Sequence, residues 1–357
     1  MKQSCLFPLT VHPTTRAIAD AVRGAGASAL PNAERKADDA RYQEVRCRSA
    51  LNHVKGMPFE WTLNPYRGCT HACHYCFARR YHKQFELDAD DEFATIILVK
   101  TNFVEVLGKE LSRPRWSRAL VAMGTATDPY QPIEGQYKLS RHSLIELAAA
   151  RTPVSVVTKG PMIVRDIDVL KDVAAASRCT VCISVPSVDE EAWRIMEPGT
   201  AHPFQRLKAV RALTRAGVRA GVLMAPLLPG ITTARHTIDA TLTAIADHGA
   251  SFVGANVLHL EGGTRDHFFR FLERAYPRLV DGYARLYANG AKRVPRAYAD
   301  AVRTAVSDAR DRVGMTARTR PDGGRDDGED DEAVSEDVEM RAEARDPVLW
   351  EAAIMEQ

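Results

Sequence analysis

The sequence predicts an α/β protein built as a partial (βα)6 barrel with a helical C-terminal extension. From residue 59 onwards, six short β-branched runs each lead into a polar or glycine-containing loop and then into a helix-forming segment. Each run is nearly continuous in apolar character, which is typical of parallel strands that are buried on both faces. Six units are too few for a closed eight-unit barrel, so we expect an open one.

The predicted strands and helices alternate along the chain. Strands are predicted at 59–63, 119–123, 154–157, 180–185, 218–224 and 252–258. Helices are predicted at 103–111, 140–150, 166–176, 189–196, 204–216 and 233–248. A further β-branched run at 96–99 falls outside the six units. After residue 260 the pattern becomes helical and basic, with helices predicted at 264–275, 277–289 and 295–312.

Composition divides the chain into four segments. We expect an irregular N-terminal extension at 1–57, a barrel at 58–260, a helical extension at 261–315 and an acidic, mostly disordered tail at 316–357. The formal net charge of +2 is uneven, because 321–357 contains fourteen Asp and Glu against three Arg, which leaves +13 for 1–320. A basic body is compatible with a polyanionic partner, although no run of Lys or Arg defines a phosphate track.

Three of the seven cysteines, Cys69, Cys73 and Cys76, fall within eight residues directly after a predicted strand. A disulfide joins two thiols, so this odd, tight triplet favours a metal or iron-sulfur site. Three thiolates hold three irons of a four-iron four-sulfur cluster and leave the fourth iron open to a small ligand. The alternative is a three-cysteine zinc site completed by His71 or His74.

The motif around these cysteines resembles a known family. Cys-x3-Cys-x2-Cys, with the aromatic Tyr75 just before the last cysteine, resembles the signature of the radical S-adenosylmethionine (radical SAM) superfamily. The preceding segment 64–68, Asn-Pro-Tyr-Arg-Gly, is similar to that of the branch related to spore photoproduct lyase, also described as DNA repair photolyase-like. The resemblance covers about 58–300. It implies a partial TIM-like barrel of the radical SAM type, a 4Fe-4S cluster on the three cysteines, and SAM as the second cofactor.

The resemblance also implies an activity. Radical SAM enzymes pass an electron through the cluster to cleave SAM, and the resulting 5′-deoxyadenosyl radical abstracts a hydrogen from the substrate. The electron would come from a reductant such as ferredoxin or flavodoxin. In such an enzyme the protein supplies placement and shielding, while the cofactors supply the reactive chemistry.

Polar residues after the later strands resemble the SAM contacts of this branch. Thr125, Thr127 and Asp128 resemble the segment near the methionine moiety, where hydroxyls and a carboxylate would receive an ammonium group. The segment 221–226 resembles the strand that passes beneath adenine.

Four further residues resemble contacts to the carboxylate and ribose of SAM. They are Lys159 at the end of one strand, Ser184 on the next, Glu197, and Arg206 nine residues later. The residues alone leave simpler interpretations open. Lys159 also fits a solvated strand end, and Glu197 with Arg206 also fits a plain ion pair.

The sequence departs from the lyase at one position. The lyase segment that matches 125–128 begins with a cysteine that returns a hydrogen atom to the product radical, whereas this chain has Thr125 there. A hydroxyl does not donate hydrogen as a thiol does, so reversal of spore photoproduct by that route is not expected. Cys179 and Cys182 are offset by three residues on one predicted strand, which directs them to opposite faces and favours two buried residues over a redox pair.

The leading hypothesis is therefore a lyase-like radical SAM enzyme whose substrate the sequence does not identify. The branch that it resembles and the basic, tyrosine-bearing region at 265–312 suggest a nucleic-acid lesion or a modified nucleotide. One alternative is radical modification of a peptide or small metabolite, and another is a non-catalytic zinc- or cluster-dependent nucleic-acid-binding protein. No stretch of 18 apolar residues is present, and clustered thiols suit a reducing compartment, so we expect a cytoplasmic protein with no membrane partner.

Overall fold

The computed structural model describes residues 40–85 and 92–315 of the chain. In chain order its strands are β1 (Arg41–Val45), β2 (Leu51–His53), β3 (Trp61–Leu63), β4 (Tyr66–Arg67), β5 (Ile96–Lys100), β6 (Val121–Met123), β7 (Val154–Thr158), β8 (Cys179–Ser184), β9 (Ala220–Leu227) and β10 (Val253–Val257).

Its α-helices are α1 (Glu92–Thr95), α2 (Phe103–Leu111), α3 (Glu134–Tyr137), α4 (Leu139–Ala149), α5 (Ile167–Ala176), α6 (Glu190–Met196), α7 (Pro203–Arg215), α8 (Arg235–Asp247), α9 (Gly263–Ala275), α10 (Val280–Leu286) and α11 (Arg296–Arg312). Short 3-10 helices cover Phe77–Phe85, Pro161–Asp166, Pro277–Leu279 and Ala288–Gly290. No helix in the described part of the chain is both long enough and apolar enough to span a bilayer.

The main sheet follows the chain order. Within the described residues it has seven strands in the order β10-β9-β8-β7-β6-β3-β2, and it ends at β10 and β2 without closing. The six strands from β3 to β10 pair in parallel, and β2 pairs antiparallel with β3. These six are the strands that the sequence predicts, and the open α/β architecture confirms the predicted fold class. Because the strands are parallel, their carboxyl ends lie at the same edge of the sheet.

The apolar runs are long because both faces of the central strands are covered. On β8 the successive residues Val181, Cys182 and Ile183, whose side chains alternate between the two faces, are all fully buried. Full burial of an aliphatic side chain stabilises the fold by about 1.5–3 kcal/mol. The sheet is therefore a rigid platform for the loops at its carboxyl edge.

The sequence predicted an irregular N-terminal extension at 1–57. In the part of this segment that the structure describes, 40–57, the prediction is wrong, because regular strands are present. Two strands lie there: β1 pairs in parallel with β5, and β2 joins the main sheet. The run at 96–99, which the sequence left outside the six units, is thus the centre of a second sheet in the order β1-β5-β4. The burial of β1 is mixed, with one buried residue of five, so its sequence lacks the continuous apolar run of a central strand. Residues 1–39 and the tail at 316–357 lie outside the described residues.

The predicted helix at 277–289 is divided in the structure. Pro277–Leu279 is a 3-10 turn, α10 follows, and Asn289 in the last turn has a left-handed φ of 54°. Asn tolerates this conformation better than most residues. The predicted helices at 264–275 and 295–312 match α9 and α11.

Candidate cofactor site at the carboxyl edge of the sheet

The cysteine loop follows β3 and β4 and is built from tight turns. Gly68 begins it with a φ of 77°, and a Cβ there would lie 2.5 Å from the carbonyl oxygen of Ile96, so the position requires glycine. The amide of Ala72, itself at a φ of 56°, donates to the carbonyl of Cys69, and the amide of Cys76 donates to that of Cys73. Successive turns of this kind bring cysteines spaced by four and three residues together.

The three thiols are largely buried and lie close to one another. Burial raises the pKa of Cys69 well above its usual value, and the negative charge of Asp128 raises it further, as ionisation of Cys73 or Cys76 would. Burial also raises the pKa of Cys73, to about 12, and that of Cys76. None of the three is in a disulfide. Burial outweighs the nearby cations Lys159 and Arg79, so the thiols of Cys73 and Cys76 stay protonated at neutral pH unless a metal centre binds them.

The loop is anchored from both sides. The buried guanidinium of Arg79 donates to the carbonyls of Cys73 and Ala72 at 3.0 and 2.9 Å. The turn at 197–200 packs directly on the other side, where a Cβ on Gly199 would lie 2.1 Å from the carbonyl oxygen of Thr70. The backbone of the loop therefore has little freedom to move.

The two histidines of the loop have other partners. His71 is buried, with its Nδ1 3.2 Å from the carboxylate of Asp128. His74 stacks on Phe271 at 4.0 Å between ring centroids, and its Nδ1 lies 3.1 Å from Nε2 of His267. The geometry thus disfavours a zinc site completed by either histidine.

Two buried polar atoms beside the cysteine loop are consistent with a bound cofactor. Among the described residues, Thr70 Oγ1 and Arg206 Nε are buried without a hydrogen-bond partner. Such atoms are rare in folded proteins, because an unsatisfied buried donor costs about 1–3 kcal/mol. Thr70 lies between two of the cysteines, where a hydroxyl can donate to a cluster sulfur. The residues present therefore fit an iron-sulfur cluster.

Four of the predicted SAM contacts form one network. Nζ of Lys159 lies 2.5 Å from Oγ of Ser184 and 3.1 Å from the carboxylate of Glu197. Arg206, which is fully buried, donates to the other oxygen of Glu197 at 2.5 Å and to the carbonyl of Ser184 at 2.7 Å. The hydroxyl of Tyr75 donates to Glu197, which connects the network to the cysteine loop.

The charges of this network stabilise one another. Burial opposes ionisation of Glu197, but Arg206 and Lys159 outweigh it and lower its pKa to about 2. The ion pair between Glu197 and Arg206 that the sequence left open is therefore present, and Lys159 is a half-buried member of it rather than a solvated strand end.

The loop after β6 carries the other three predicted contacts, and Asp128 is its centre. The carboxylate of Asp128 accepts bonds from the amides of Tyr130 and Lys159 and from the hydroxyl of Thr158, at 2.5–2.8 Å, and it also faces His71. Burial opposes its ionisation, but His71 and these bonds outweigh burial and lower its pKa. Asp128 thus connects the loop after β6 with the loop after β7 and with the cysteine loop.

Thr127 and Thr125 also bind the loops that surround them. The hydroxyl of Thr127 donates to the carbonyl of Gly68 at 2.6 Å. Thr125 accepts from the side-chain amide of Asn64 at 3.1 Å, and the oxygen of the same amide accepts from the backbone of Ala126. The structure therefore brings all seven predicted contacts to one edge of the sheet, beside the cysteine loop.

Some residues of the site escaped sequence reasoning. Lys100 on β5 is buried and donates to the carbonyl of Asn64 at 2.6 Å, and burial lowers its pKa to about 7. The strand was outside the predicted barrel, so its lysine carried no signal. Helix α9 was also missed as part of the site, although the hydroxyl of Thr264 donates to the carbonyl of Cys76 at 3.2 Å.

Cys179 and Cys182 lie away from this edge. Cys179 begins β8 and Cys182 is its fourth residue, whereas Ser184 is at the carboxyl end of the strand. Both are buried, at 4% and 0% exposure, and burial raises the pKa of Cys179 to about 12. They are core residues, as predicted.

Comparison with known proteins identifies the family. The profile described as "Radical SAM superfamily" matches residues 63–241, which is half of the chain. The chain belongs to this superfamily. Radical SAM enzymes use a 4Fe-4S cluster and SAM, so the predicted enzyme class and cofactors are confirmed.

Relatives of this radical SAM protein occur in bacteria and archaea. An uncharacterized protein of Mycobacterium tuberculosis is 41% identical over 273 residues, which cover 76% of this chain and 80% of that protein. An uncharacterized protein of Methanocaldococcus jannaschii is 23% identical over 234 residues, which cover 66% of this chain and 83% of that protein.

Solved structures of spore photoproduct lyase have the same fold. A variant with bound AdoMet and dinucleoside spore photoproduct aligns with a TM-score of 0.60 and 13% identity, covering 85% of this chain and 92% of that one. The lyase complexed with dinucleoside spore photoproduct aligns with the same TM-score, at 16% identity and the same coverage. The resemblance to the fold of this branch is confirmed.

Proposed function

We propose that Cys69, Cys73 and Cys76 hold the cluster with which this enzyme cleaves SAM reductively, and that the 5′-deoxyadenosyl radical acts on a nucleic-acid lesion or a modified nucleotide. The observation that carries the proposal is the position of two buried thiols and one half-buried thiol beside an ionised network, to which Tyr75 of the cysteine loop is hydrogen-bonded. The cluster and SAM supply the radical when bound. The chain holds them, orients them and excludes water.

The network beside the cysteines suits the zwitterionic end of SAM. Lys159 and Arg206 offer positive charge to a carboxylate, while Glu197 and Ser184 offer acceptors to an ammonium group or a ribose hydroxyl. Arg206 has a buried Nε without a partner, so it retains one donor for a ligand.

The loop after β6 has a different part in this proposal. Thr127 and Asp128 already bind their neighbours, so we assign them to positioning the loop, with Thr125 nearest the substrate. Since Thr125 is not a thiol, hydrogen return to a product radical must use a different donor from that of the lyase.

The nucleic-acid substrate is supported by charge and by fold. Residues 1–320 carry a formal charge of +13, which favours a polyanion. The solved structures with this fold include a lyase bound to a dinucleoside spore photoproduct. A reductant such as ferredoxin or flavodoxin would supply the electron.

Anaerobic reconstitution tests the cofactor chemistry. With SAM and dithionite, the loaded protein should yield 5′-deoxyadenosine and methionine. The Cys73→Ala variant should lose both the cluster and the products, whereas Cys47→Ala, at a half-buried cysteine on another loop, should retain about four irons per chain. A fully loaded wild-type protein that never cleaves SAM contradicts the proposal.

The substrate is tested separately. The loaded enzyme is incubated with irradiated DNA, with modified RNA and with peptide extracts, and the products of each are compared by mass spectrometry. A changed nucleotide supports the proposal. A changed peptide with unchanged nucleic acids refutes the substrate class and leaves SAM cleavage intact.

A further inference from the structure

An aromatic and basic patch lies on the surface next to the cysteine loop. Phe77 directly follows Cys76 and is 43% exposed. Its ring meets the ring of Tyr81 edge-on, with 6.1 Å between centroids. The guanidinium of Arg80 lies 5.9 Å from the Phe77 centroid and 4.9 Å from that of Tyr81. We call these three residues the Phe77 patch.

The Phe77 patch consists of more than one exposed apolar side chain. A single exposed apolar residue is normal on protein surfaces. Here an arginine lies over two rings at cation–π distance, which holds both rings in place before any ligand arrives. Preorganised aromatic surface binds with a small loss of conformational entropy.

The charge around the Phe77 patch is positive. The guanidinium of Arg67 lies 5.8 Å from the Tyr81 centroid. Arg80 shares the carboxylate of Glu261 with Lys292, at 2.5 and 2.6 Å, and Lys292 is 57% exposed. Among the described residues, the two cations Arg80 and Lys292 share this one carboxylate, so the pair keeps a positive charge for an anionic ligand.

The combination of rings and cations selects one kind of ligand. Nucleobases stack on aromatic side chains and arginine planes, while lysine and arginine bind the phosphates. An acidic protein would use the cations and leave the rings unused. An apolar peptide would use the rings and leave the cations unused. An unpaired nucleotide uses both.

On this basis, and resting on the proposed function, we propose that the Phe77 patch stacks the base of an unpaired nucleotide while Arg80 and Lys292 contact its phosphates. Because Phe77 is the neighbour of Cys76 in the chain, a base bound there lies beside the loop that holds the cluster. The patch would thus deliver one nucleotide of a single-stranded or locally opened nucleic acid to the radical.

Binding of a labelled oligonucleotide tests the proposal. The anaerobically loaded enzyme with SAM, and without reductant, is titrated into a fluorescein-labelled single-stranded DNA of about 12 nucleotides, and anisotropy is recorded. Phe77→Ala should weaken binding at least about fivefold, since one stacked base contributes about 1–3 kcal/mol. Phe77→Trp, which keeps an aromatic face, should bind within about twofold of wild type.

Matched variants separate stacking from charge and from general damage. Phe204→Ala removes another exposed phenylalanine, 40% exposed at the start of α7, and should leave binding unchanged. Lys292→Gln should reduce the slope of log affinity against log salt by about one. Iron content and SAM cleavage are measured on every preparation. If Phe77→Ala loads no cluster, Tyr81→Leu replaces it under the same criterion.

The outcomes distinguish the patch from the proposed function. A wild-type protein that binds the oligonucleotide while Phe77→Ala binds it equally well overturns the patch and leaves the proposed function standing. A wild-type protein that cleaves SAM but binds no nucleic acid overturns both the patch and the nucleic-acid substrate. Loss of binding in Phe77→Ala with retention in Phe77→Trp and Phe204→Ala supports the patch.

Discussion

At the scale of single residues, Lys100 is the least expected feature of the site. Its ammonium is buried under Phe103 and Arg67 and has one hydrogen bond, to the carbonyl of Asn64. No carboxylate of the described residues forms an ion pair with it, and the charged groups that act on its pKa are Arg67 and Cys47. Burial and the positive charge of Arg67 lower the pKa of Lys100 to about 7. Its hydrogen bond holds the backbone of Asn64, and the side chain of Asn64 in turn donates to Thr125.

Lys100 makes the stability of the protein depend on pH in a defined direction. In the unfolded chain its pKa is about 10.4, and in the folded protein about 7. Between these values the unfolded state binds more protons, so this residue makes stability rise with pH, by up to about 1.4 kcal/mol per pH unit. Anaerobic thermal melts of the Lys100→Met variant should therefore gain less between pH 7 and 9 than wild type does.

A lysine elsewhere on the surface provides the control for this prediction. Lys109 is 71% exposed and pairs with Glu105 one helical turn away. The Lys109→Met variant should follow the wild-type pH dependence. If Lys100→Met and Lys109→Met show the same dependence, Lys100 is protonated in the folded protein and the assigned pKa is wrong.

At the scale of elements, the site depends on two loops that touch through backbone atoms. The turn after α6 meets the cysteine loop where the amide of Gly199 donates to the carbonyl of His71 at 3.1 Å. The amide of His74 donates to the carbonyl of Met196 at the end of α6. Because these contacts join backbone atoms, no side-chain rotation can compensate for a change in the turn. The position of the turn therefore constrains the conformation of the cysteine loop.

A methyl group at Gly199 should therefore disturb the cysteine loop. Its Cβ would lie 2.1 Å from the carbonyl oxygen of Thr70, and either the turn or the loop must shift. We expect Gly199→Ala to hold substantially less iron than wild type after reconstitution, as measured by iron and sulfide analysis.

Gly217→Ala is the matched control. Gly217 has a φ of +83° but nothing within 4 Å of its added Cβ, so the change introduces backbone strain without a collision. It should cost about 1 kcal/mol of stability and leave the iron content at the wild-type value. Full iron content in Gly199→Ala would show that the contact between the loops is not required for the cluster.

At the scale of the whole molecule, the C-terminal extension encloses the cysteine loop. Helix α9 contacts it through Thr264 and Phe271, and Glu261 before the helix pairs with Arg80 of the 3-10 helix after Cys76. The barrel alone therefore does not complete the site. This arrangement explains how a loop at the open edge of a sheet is kept from solvent, which the oxygen-sensitive chemistry of the family requires.

Removing Phe271 should expose the cluster. Phe271→Ala deletes a ring that is 5% exposed and stacks on His74, and should cost about 3–5 kcal/mol of stability. The visible absorbance of the cluster should then decay faster in the presence of a chelator and air.

Phe252→Ala separates exposure of the cluster from general instability. Phe252 is fully buried, precedes β10 at the opposite edge of the sheet and contacts Gly221. Its loss should cost a similar amount of stability while the cluster decays at the wild-type rate. Equal decay in both variants would mean that α9 contributes to stability and not to shielding.

Much of the fold and of the site was predictable because the signals are local. The spacing of Cys69, Cys73 and Cys76 is a property of one loop, and the six central strands show their double burial as continuous apolar runs. Lys159 and Ser184 lie at the carboxyl ends of successive strands, so the sequence placed them at one edge, since parallel strands share that edge. Glu197, which follows α6, was indicated only by the family resemblance.

Only the tertiary structure decided which distant groups meet. Strand β1 pairs with β5 across some fifty residues, Lys100 is buried beneath Asn64, and α9 covers the cysteine loop. Each of these contacts depends on packing between distant segments, and the sequence pattern of neither segment predicts it. The sequence by itself determined which cysteines are proposed as cluster ligands, because all three lie on one loop. The enclosure of that loop and the surface beside Phe77 were decided by long-range packing, because burial and charge at a point depend on every segment that reaches it.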